Sequence, residues 1–283
     1  NAGAKALSTA VGLPLPASLA VSAALTLFYM VLGGFVAVSY NDVVRAVIMI
    51  IGLVVLPVAG LLKMGGSAAL MDVLQALNPA LIDPFSLGTG ALIGFLGIGL
   101  GSPGQPHIVI RYMSIRDAGQ LKLAALIGTF WNVVLAWGAL CIGLVGRAMI
   151  PDPGSLPRSD PEMIYLVLAS RFFGPVFYGL LMGGIFAAIL STVDSQLLVV
   201  ASTWVRDFYE KIINKKGSMD ERKKLRLSRT ALVLSGILSI LLALAAKDLI
   251  FWLVLFAWGG LGASIGTSLI FSLYWRKTHP IGI

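Results

Sequence analysis

The chain is 283 residues long, and 58% of its residues are hydrophobic while only 12% are charged. A soluble domain typically carries about 25% charged residues, so this composition excludes an ordinary soluble protein and indicates a protein of the lipid bilayer. The 21 Lys and Arg residues outnumber the 13 Asp and Glu residues, which gives a formal net charge of +8. In a membrane protein such an excess of basic residues is a topology signal. Anionic lipid headgroups are its expected partner, and nucleic acid is not.

Seven apolar stretches are long enough to cross a bilayer, whose hydrocarbon core needs about 20 apolar residues per helix. They lie at about 17–39, 43–63, 85–110, 122–149, 173–203, 229–246 and 249–275. None of them has the charged start, short apolar run and small-residue cleavage site of a signal peptide. The sequence therefore predicts an all-α membrane protein with about seven transmembrane helices.

The distribution of basic residues predicts the orientation, because Lys and Arg collect on the cytoplasmic side of a membrane. The segments after spans one, three, five and seven hold 15 of the 21 basic residues, among them Arg45 after span one and nine between positions 206 and 229. We therefore expect the beginning of the chain outside and its end inside. On the outer side, SLPRSDPEMIYLVLASRFF predicts a loop followed by a short amphipathic helix.

Glycine and proline crowd the third span, which contains GLGSPGQPH at positions 99–107. Each Gly weakens a helix by about 1 kcal/mol relative to Ala, and an internal Pro costs about 3 kcal/mol. An unwound segment is therefore expected, and at membrane depth it is tolerated only inside protein or beside a wet cavity. Secondary transporters use such breaks to bind ions and substrate. The alternative is a glycine-rich face for close helix packing.

Polar side chains also lie in the fifth span, within GGIFAAILSTVDSQLLVVAS. Helical geometry places Ser191, Asp194 and Ser195 on one face, with Thr192 beside Ser191. Hard cations prefer such oxygen ligands, and a monovalent ion would offset one buried carboxylate. Three alternatives stay open at this point: hydrogen bonding between helices, an ion pair of Asp194 with a cation elsewhere, and a proton site.

Another polar cluster lies in GGFVAVSYNDVVRAV, where Ser39, Tyr40, Asn41 and Asp42 separate spans one and two. Here we expect the chain to turn between two helices. One of two alternatives for Asp42 is then that it simply caps the second helix, where a carboxylate satisfies free amide groups and suits the positive end of the helix dipole; the other is a functional role.

Four segments together resemble a known family, the solute:sodium symporters, and most closely its sodium/proline symporter branch. They are GGFVAVSYND, GLGSPGQPHIVIRYMSI, FAAILSTVDSQLLVVASTWVRDFY and FAWGGLGASIG. The most specific features are GQPH followed by a basic residue four positions on, and the ST pair in AAILST. The similarity covers essentially all 283 residues.

This resemblance implies a LeuT-type inverted-repeat fold and Na⁺-driven import of a small organic solute by alternating access across the plasma membrane. Sodium would be the coupling ion, with no other cofactor and no enzymatic activity. The principal sodium site would use the Ala188 carbonyl and the hydroxyls of Ser191 and Thr192. Some members hold a second sodium ion, whose site would map to Asp42, Ser191, Asp194 and Ser195.

For the solute pathway, the resemblance points to the broken third span. Ile98 and Ser102 stand where proline transporters carry a Trp and a Tyr, whereas Pro106 is retained with Gln105 beside it. Trp258 lies on the span that matches the tenth core helix, which helps to line the pathway. Without the two aromatic walls, another amino acid or a small organic acid is as much expected as proline.

The seven spans would correspond to helices four to ten of a ten-helix core, so residues 1–283 are expected to form one transmembrane transporter domain that is incomplete. The first core helix, which completes the principal sodium site, has no counterpart here, and these residues alone are not expected to transport. Two alternatives are a symporter-like input domain of a membrane sensor kinase and a proton-coupled carrier. The sequence shows no nucleophile–base pair, phosphate loop or His and Cys cluster typical of an enzyme.

Overall fold

The computed structural model describes residues 2–99, 101–214, 219–245 and 250–279, and at positions 29 and 32–37 it describes the backbone alone. The predicted span ends at 246 and 249 lie outside these residues, as do Lys215, Lys216 and Lys247 of the topology count. Within the described ranges all regular secondary structure is helical. The predicted all-α class is therefore confirmed.

The described part of the chain contains eleven α-helices. In chain order they are α1 (Ala2–Val11), α2 (Leu15–Met64), α3 (Ser67–Leu77), α4 (Thr89–Gly99), α5 (Pro106–Met113), α6 (Leu121–Met149), α7 (Ile164–Phe172), α8 (Pro175–Ser202), α9 (Glu221–Ala245), α10 (Ile250–Leu261) and α11 (Thr267–Tyr274). A π-helical segment, Thr203–Ile213, continues α8, and another, Gly262–Gly266, joins α10 to α11.

Five helical segments among the described residues are long and apolar enough to span a bilayer. They are Val38–Met64, Ala118–Met149, Pro175–Ile213, Glu221–Ala245 and Ile250–Tyr274. A sixth exists if α1 and Leu15–Phe28, which meet at 115°, count as one broken span. The third predicted span is divided between α4 and α5, each too short to cross alone.

Helix α2 corrects the prediction of two spans separated by a turn. It runs through Ser39–Asp42 without a break over 50 residues, about 75 Å at 1.5 Å per residue, which is more than twice the hydrocarbon thickness. No Gly or Pro lies between positions 35 and 51, so the polar residues there leave the backbone hydrogen bonds intact. Asp42 therefore lies inside a helix, and the prediction that it caps one is wrong. Gly65 ends α2 with φ 88°, and its N–H bonds the Leu61 and Leu62 carbonyls.

The described chain divides into two compact units. The first comprises the described parts of Asn1–Leu70 and Val133–Lys247, and the second those of Met71–Asn132 and Asp248–Ile283. In the first unit α2 packs along α8, and both α1 and α9 pack against these two helices. Met30, Leu197, Ala201 and Leu232 form part of its core. The second half of α6 approaches α2 closely, since a Cβ on Gly138 would collide with the Leu53 carbonyl.

The loop and short helix that the sequence predicts are present in the first unit, as three 3₁₀ turns followed by α7. Lys5 of α1 binds Asp160 and Glu162 of the loop, each at 2.6 Å. Arg158 donates to the Ser8 hydroxyl at 2.5 Å. These contacts hold the loop against α1.

In the second unit the third predicted span is broken, as its glycines and prolines indicate. Helix α4 ends at Gly99, a 3₁₀ turn covers Ser102–Gly104, and α5 begins at Pro106. The turn packs against the π-helical segment Gly262–Gly266. A Cβ on Gly104 would collide with the backbone of Leu261 and Gly262. The glycines therefore serve both predicted roles, the break and the close packing.

Replacing Gly104 by Ala is expected to lower the melting temperature of the complete protein in detergent, by the equivalent of about 1–3 kcal/mol. The new methyl group meets backbone atoms, which cannot rotate away. Gly94→Ala is the matched control, because a Cβ at that position would meet no neighbouring group within 4 Å and Ala favours a helix. Equal melting temperatures for the two variants would contradict the close approach.

Tyr165 on α7 predicts a dependence of stability on alkaline pH. Its hydroxyl donates to the Leu181 carbonyl at 3.3 Å, and burial raises the pKa of this hydroxyl to about 12. The unfolded chain releases this proton near pH 10, so folding loses stability as the pH rises from about 10 to 12. Tyr165→Phe should make this loss shallower while costing about 1 kcal/mol at neutral pH.

The measurement is the melting temperature of the complete protein as a function of pH. Tyr274→Phe is the control, because the Tyr274 side chain is 83% exposed. The interpretation fails if Tyr165→Phe and the wild type lose stability equally between pH 10 and 12.

Candidate functional site

The polar face of α8 in the first unit holds the residues predicted for the principal sodium site. The Ser191 hydroxyl donates to the Ala188 carbonyl at 3.0 Å, and the Thr192 hydroxyl donates to the same carbonyl at 3.2 Å. Ser191 is half-buried and Thr192 is exposed. Three oxygen atoms thus lie together on one turn of a largely apolar helix, and each hydroxyl oxygen still has lone pairs to offer a cation.

Asp194 lies one turn further along α8, and it is fully buried with 0% exposure. Nη1 of Arg45, on α2, donates to Oδ2 of Asp194 at 2.5 Å. The same nitrogen lies 3.4 Å from Oδ1 of Asp42, three residues earlier on α2. Arg45 therefore bridges two carboxylates from two helices.

This Asp42–Arg45–Asp194 cluster is almost entirely shielded, since the side chains of Arg45 and Asp42 are only 13% and 11% exposed. A buried carboxylate without a counter-charge costs several kcal/mol, and the guanidinium offsets that cost. Two carboxylates and one guanidinium carry a formal net charge of −1. Asp194 follows Ser191 by three residues on the same face of α8, whereas Thr192 is exposed.

The two carboxylates predicted for the second sodium site therefore lie near each other, but a guanidinium lies between them. Because α2 packs on α8, Asp42 and Asp194 come close together, and each of them contacts the guanidinium of Arg45. Ser195 is buried on the same face of α8, and its hydroxyl donates to the Ser191 carbonyl at 2.8 Å. Of the alternatives considered for Asp194, the structure contains the ion pair with a cation elsewhere.

Sequence reasoning missed the role of Arg45, which it used only as a topology signal. The spacing of Asp42 and Arg45 by three residues is a signal that could have revealed it, because residues three apart on a helix are neighbours. That signal was hidden by the expected turn at Ser39–Asp42. Only a continuous α2 places both side chains on one helical face.

The residues predicted for the solute pathway surround the break in the second unit. The Ile98 carbonyl accepts from the Gly101 N–H at 2.9 Å, Ser102 opens the 3₁₀ turn, and Pro106 is the first residue of α5. A Cβ on Gly101 would lie 3.0 Å from the carbonyl oxygen of Trp258, so α10 faces the break closely.

Gln105, between the 3₁₀ turn and α5, is the most deeply buried of these residues, with 1% exposure. Its backbone carbonyl accepts from the N–H groups of Ile108 and Val109. Within the described part of the chain, its side-chain Nε2 has no hydrogen-bond partner. A buried amide group is normally bonded, so this donor is available to a polar group of another molecule.

Comparison with known proteins gives matches along almost the whole chain. The family model for the sodium:solute symporter family matches residues 1–282. The osmoregulated proline transporter OpuE of Bacillus subtilis (strain 168) is 34% identical over 281 residues. The sodium/proline symporter of Staphylococcus aureus is 35% identical over 282 residues. These matches cover 99% of this chain but only 56% and 55% of the relatives, so the chain spans about half their length.

A solved structure described as the substrate-bound outward-open state of a Na⁺-coupled sialic acid symporter superposes with a TM-score of 0.77. The match covers 98% of this chain and 59% of that one, at 20% identity. It confirms the predicted LeuT-type helical fold. The apolar helices and the matches make the chain part of an integral plasma membrane protein. Because the family model and relatives above 30% identity both cover nearly all of it, the chain belongs to the sodium:solute symporter family.

Proposed function

We propose that the complete protein containing this chain is a sodium-coupled symporter that imports a small organic solute by alternating access. The observation that carries this proposal is the oxygen cluster of Ala188, Ser191 and Thr192 on the apolar helix α8. Hard cations are bound by such carbonyl and hydroxyl oxygens. The described residues supply one side of the site, and the remaining ligands come from the part of the protein that this chain does not cover.

Electrostatics supports a monovalent cation at this place. The side chains of Asp42, Arg45 and Asp194 carry a formal net charge of −1, and Asp194 follows the proposed ligand Ser191 by three residues on the same face of α8. In a medium of low dielectric constant this charge attracts a cation much more strongly than it would in water. Because Arg45 already neutralises one carboxylate, a single sodium ion balances the remaining charge.

The same proposal gives the solute a chemical class. The relatives are named as proline transporters and the solved structure as a sialic acid symporter. Proline and sialic acid are both carboxylates. Gln105 offers a buried amide donor beside the broken helix, which suits a carboxylate oxygen. We therefore propose that the solute is a small organic carboxylate held by Gln105, near Ile98, Ser102, Pro106 and Trp258.

The proposed orientation places the beginning of the chain outside the cell and the basic segment of Arg206–Arg229 inside. A proton-coupled carrier is the competing function, and the cation requirement separates the two. Uptake driven equally by a pH gradient in K⁺ or Li⁺ without Na⁺ would favour the competitor.

Ser191→Ala and Thr192→Ala in the complete protein should each raise the sodium concentration for half-maximal uptake about 10-fold or more. The reason is that a hydrogen-bonding contact to a charged group is worth about 1.5–3 kcal/mol. The measurement is the initial rate of uptake into proteoliposomes against Na⁺ concentration. It uses a panel of labelled proline, other amino acids and small organic acids.

Thr230→Ala is the matched control, because its exposed hydroxyl also bonds the carbonyl four residues back, on α9. It should leave the sodium requirement unchanged. If the Ser191 and Thr192 variants behave like this control, the proposed principal site is wrong.

Gln105→Met keeps the volume of the side chain but removes its amide donor. We expect the KM for the solute to rise about 10-fold to 100-fold, because the carboxylate loses a buried charge-assisted hydrogen bond. Gln120→Met, at an exposed position of the same unit, is the control. An unchanged KM in a correctly folded Gln105→Met protein would remove Gln105 from the solute site.

A further inference from the structure

The guanidinium of Arg45 lies at the centre of the residues predicted to hold a second sodium ion. Its Nη1 is 2.5 Å from Asp194 and 3.4 Å from Asp42, the two carboxylates of that set. The carboxylates belong to α8 and α2, so the guanidinium occupies the space where the two helices bring their negative charges together. Its single positive charge offsets the carboxylates, as the charge of a sodium ion would at that position.

A second sodium ion in this place would have no carboxylate left to balance it, because the guanidinium and the sodium ion at the principal site already offset the charges of Asp42 and Asp194. The Asp194 carboxylate is fully buried, and the Arg45 and Asp42 side chains are nearly so. Like charges a few ångströms apart repel strongly where water is excluded. An arginine stays protonated in proteins, so it cannot make room by losing its charge. A sodium ion at this position would have to displace the guanidinium from the Asp194 carboxylate, and breaking a buried ion pair is unfavourable.

We propose that Arg45 is a tethered cation that permanently fills the second cation position, so that the transporter binds and couples to one sodium ion and not two. The inference rests on the proposed sodium-coupled function. A tethered cation cannot be released on the other side of the membrane. It therefore holds α2 and α8 together throughout the cycle, and the exchangeable ion is confined to the site of Ala188, Ser191 and Thr192.

The test is the number of ²²Na⁺ ions bound at saturation by the purified complete protein. We expect one for the wild type and two for Arg45→Gln, with a sodium-activation curve that becomes steeper in the variant. Arg45→Lys keeps the tethered charge and should bind one. Arg147→Gln removes an arginine elsewhere in the first unit, where it donates to the Pro151 carbonyl, and should also bind one.

Because Arg45→Gln removes the cation that bridges two shielded carboxylates, it risks misfolding. The double variant Arg45→Gln/Asp194→Ser avoids this, since it keeps the net charge of the cluster at −1. It should also bind two sodium ions. Size-exclusion profiles and melting temperatures establish that each variant is folded.

Each outcome is decisive. A wild type that binds two sodium ions, or a folded Arg45→Gln or Arg45→Gln/Asp194→Ser variant that still binds one, overturns the tethered cation while leaving the symporter proposal intact. A wild type that binds none overturns both. A wild type whose single ion is lost in Ser191→Ala, and whose Arg45→Gln variant gains a second, supports both.

Discussion

The buried ion pair between Arg45 and Asp194 is the interaction on which the arrangement of the first unit depends. A carboxylate at membrane depth cannot be solvated by lipid, so the protein itself must supply the opposite charge. Here that charge comes from α2, the helix that packs along α8. The pair fixes which faces of the two helices meet, and with them the orientation of the hydroxyl-bearing face of α8.

In the second unit the constraint is different, because a broken helix leaves backbone N–H and C=O groups without their helical partners. Lipid cannot bond these groups, so they must face protein. The 3₁₀ turn at Ser102–Gly104 fits against α10 and the π-helical segment because Gly101, Gly104 and Gly262 have no Cβ. Gln105, which follows this turn, is buried, and its side-chain Nε2 is a hydrogen-bond donor without a partner among the described residues. The backbone groups that need protein contacts and the proposed solute site thus lie at the same place.

Much of this could be predicted from the sequence, and the failures have a common origin. The glycine and proline run from position 99 to 107 predicted the break correctly because each residue weakens a helix through its own covalent structure. Ser191, Asp194 and Ser195 share a face, as local helical geometry requires. Polar residues at Ser39–Asp42, by contrast, do not by themselves break a helix, and the expected turn was absent.

The sequence by itself determined that the chain lies in a bilayer, that it is helical, that one span is broken and that α8 has an oxygen-rich face. Composition and residue spacing suffice for these features because they act locally. Only the tertiary structure decided the partner of Asp194. Arg45 is 149 positions away along the chain, and no local rule pairs residues at that separation. The packing of α2 on α8 brings them together, so Arg45, which the sequence used only as a topology signal, becomes part of the candidate site.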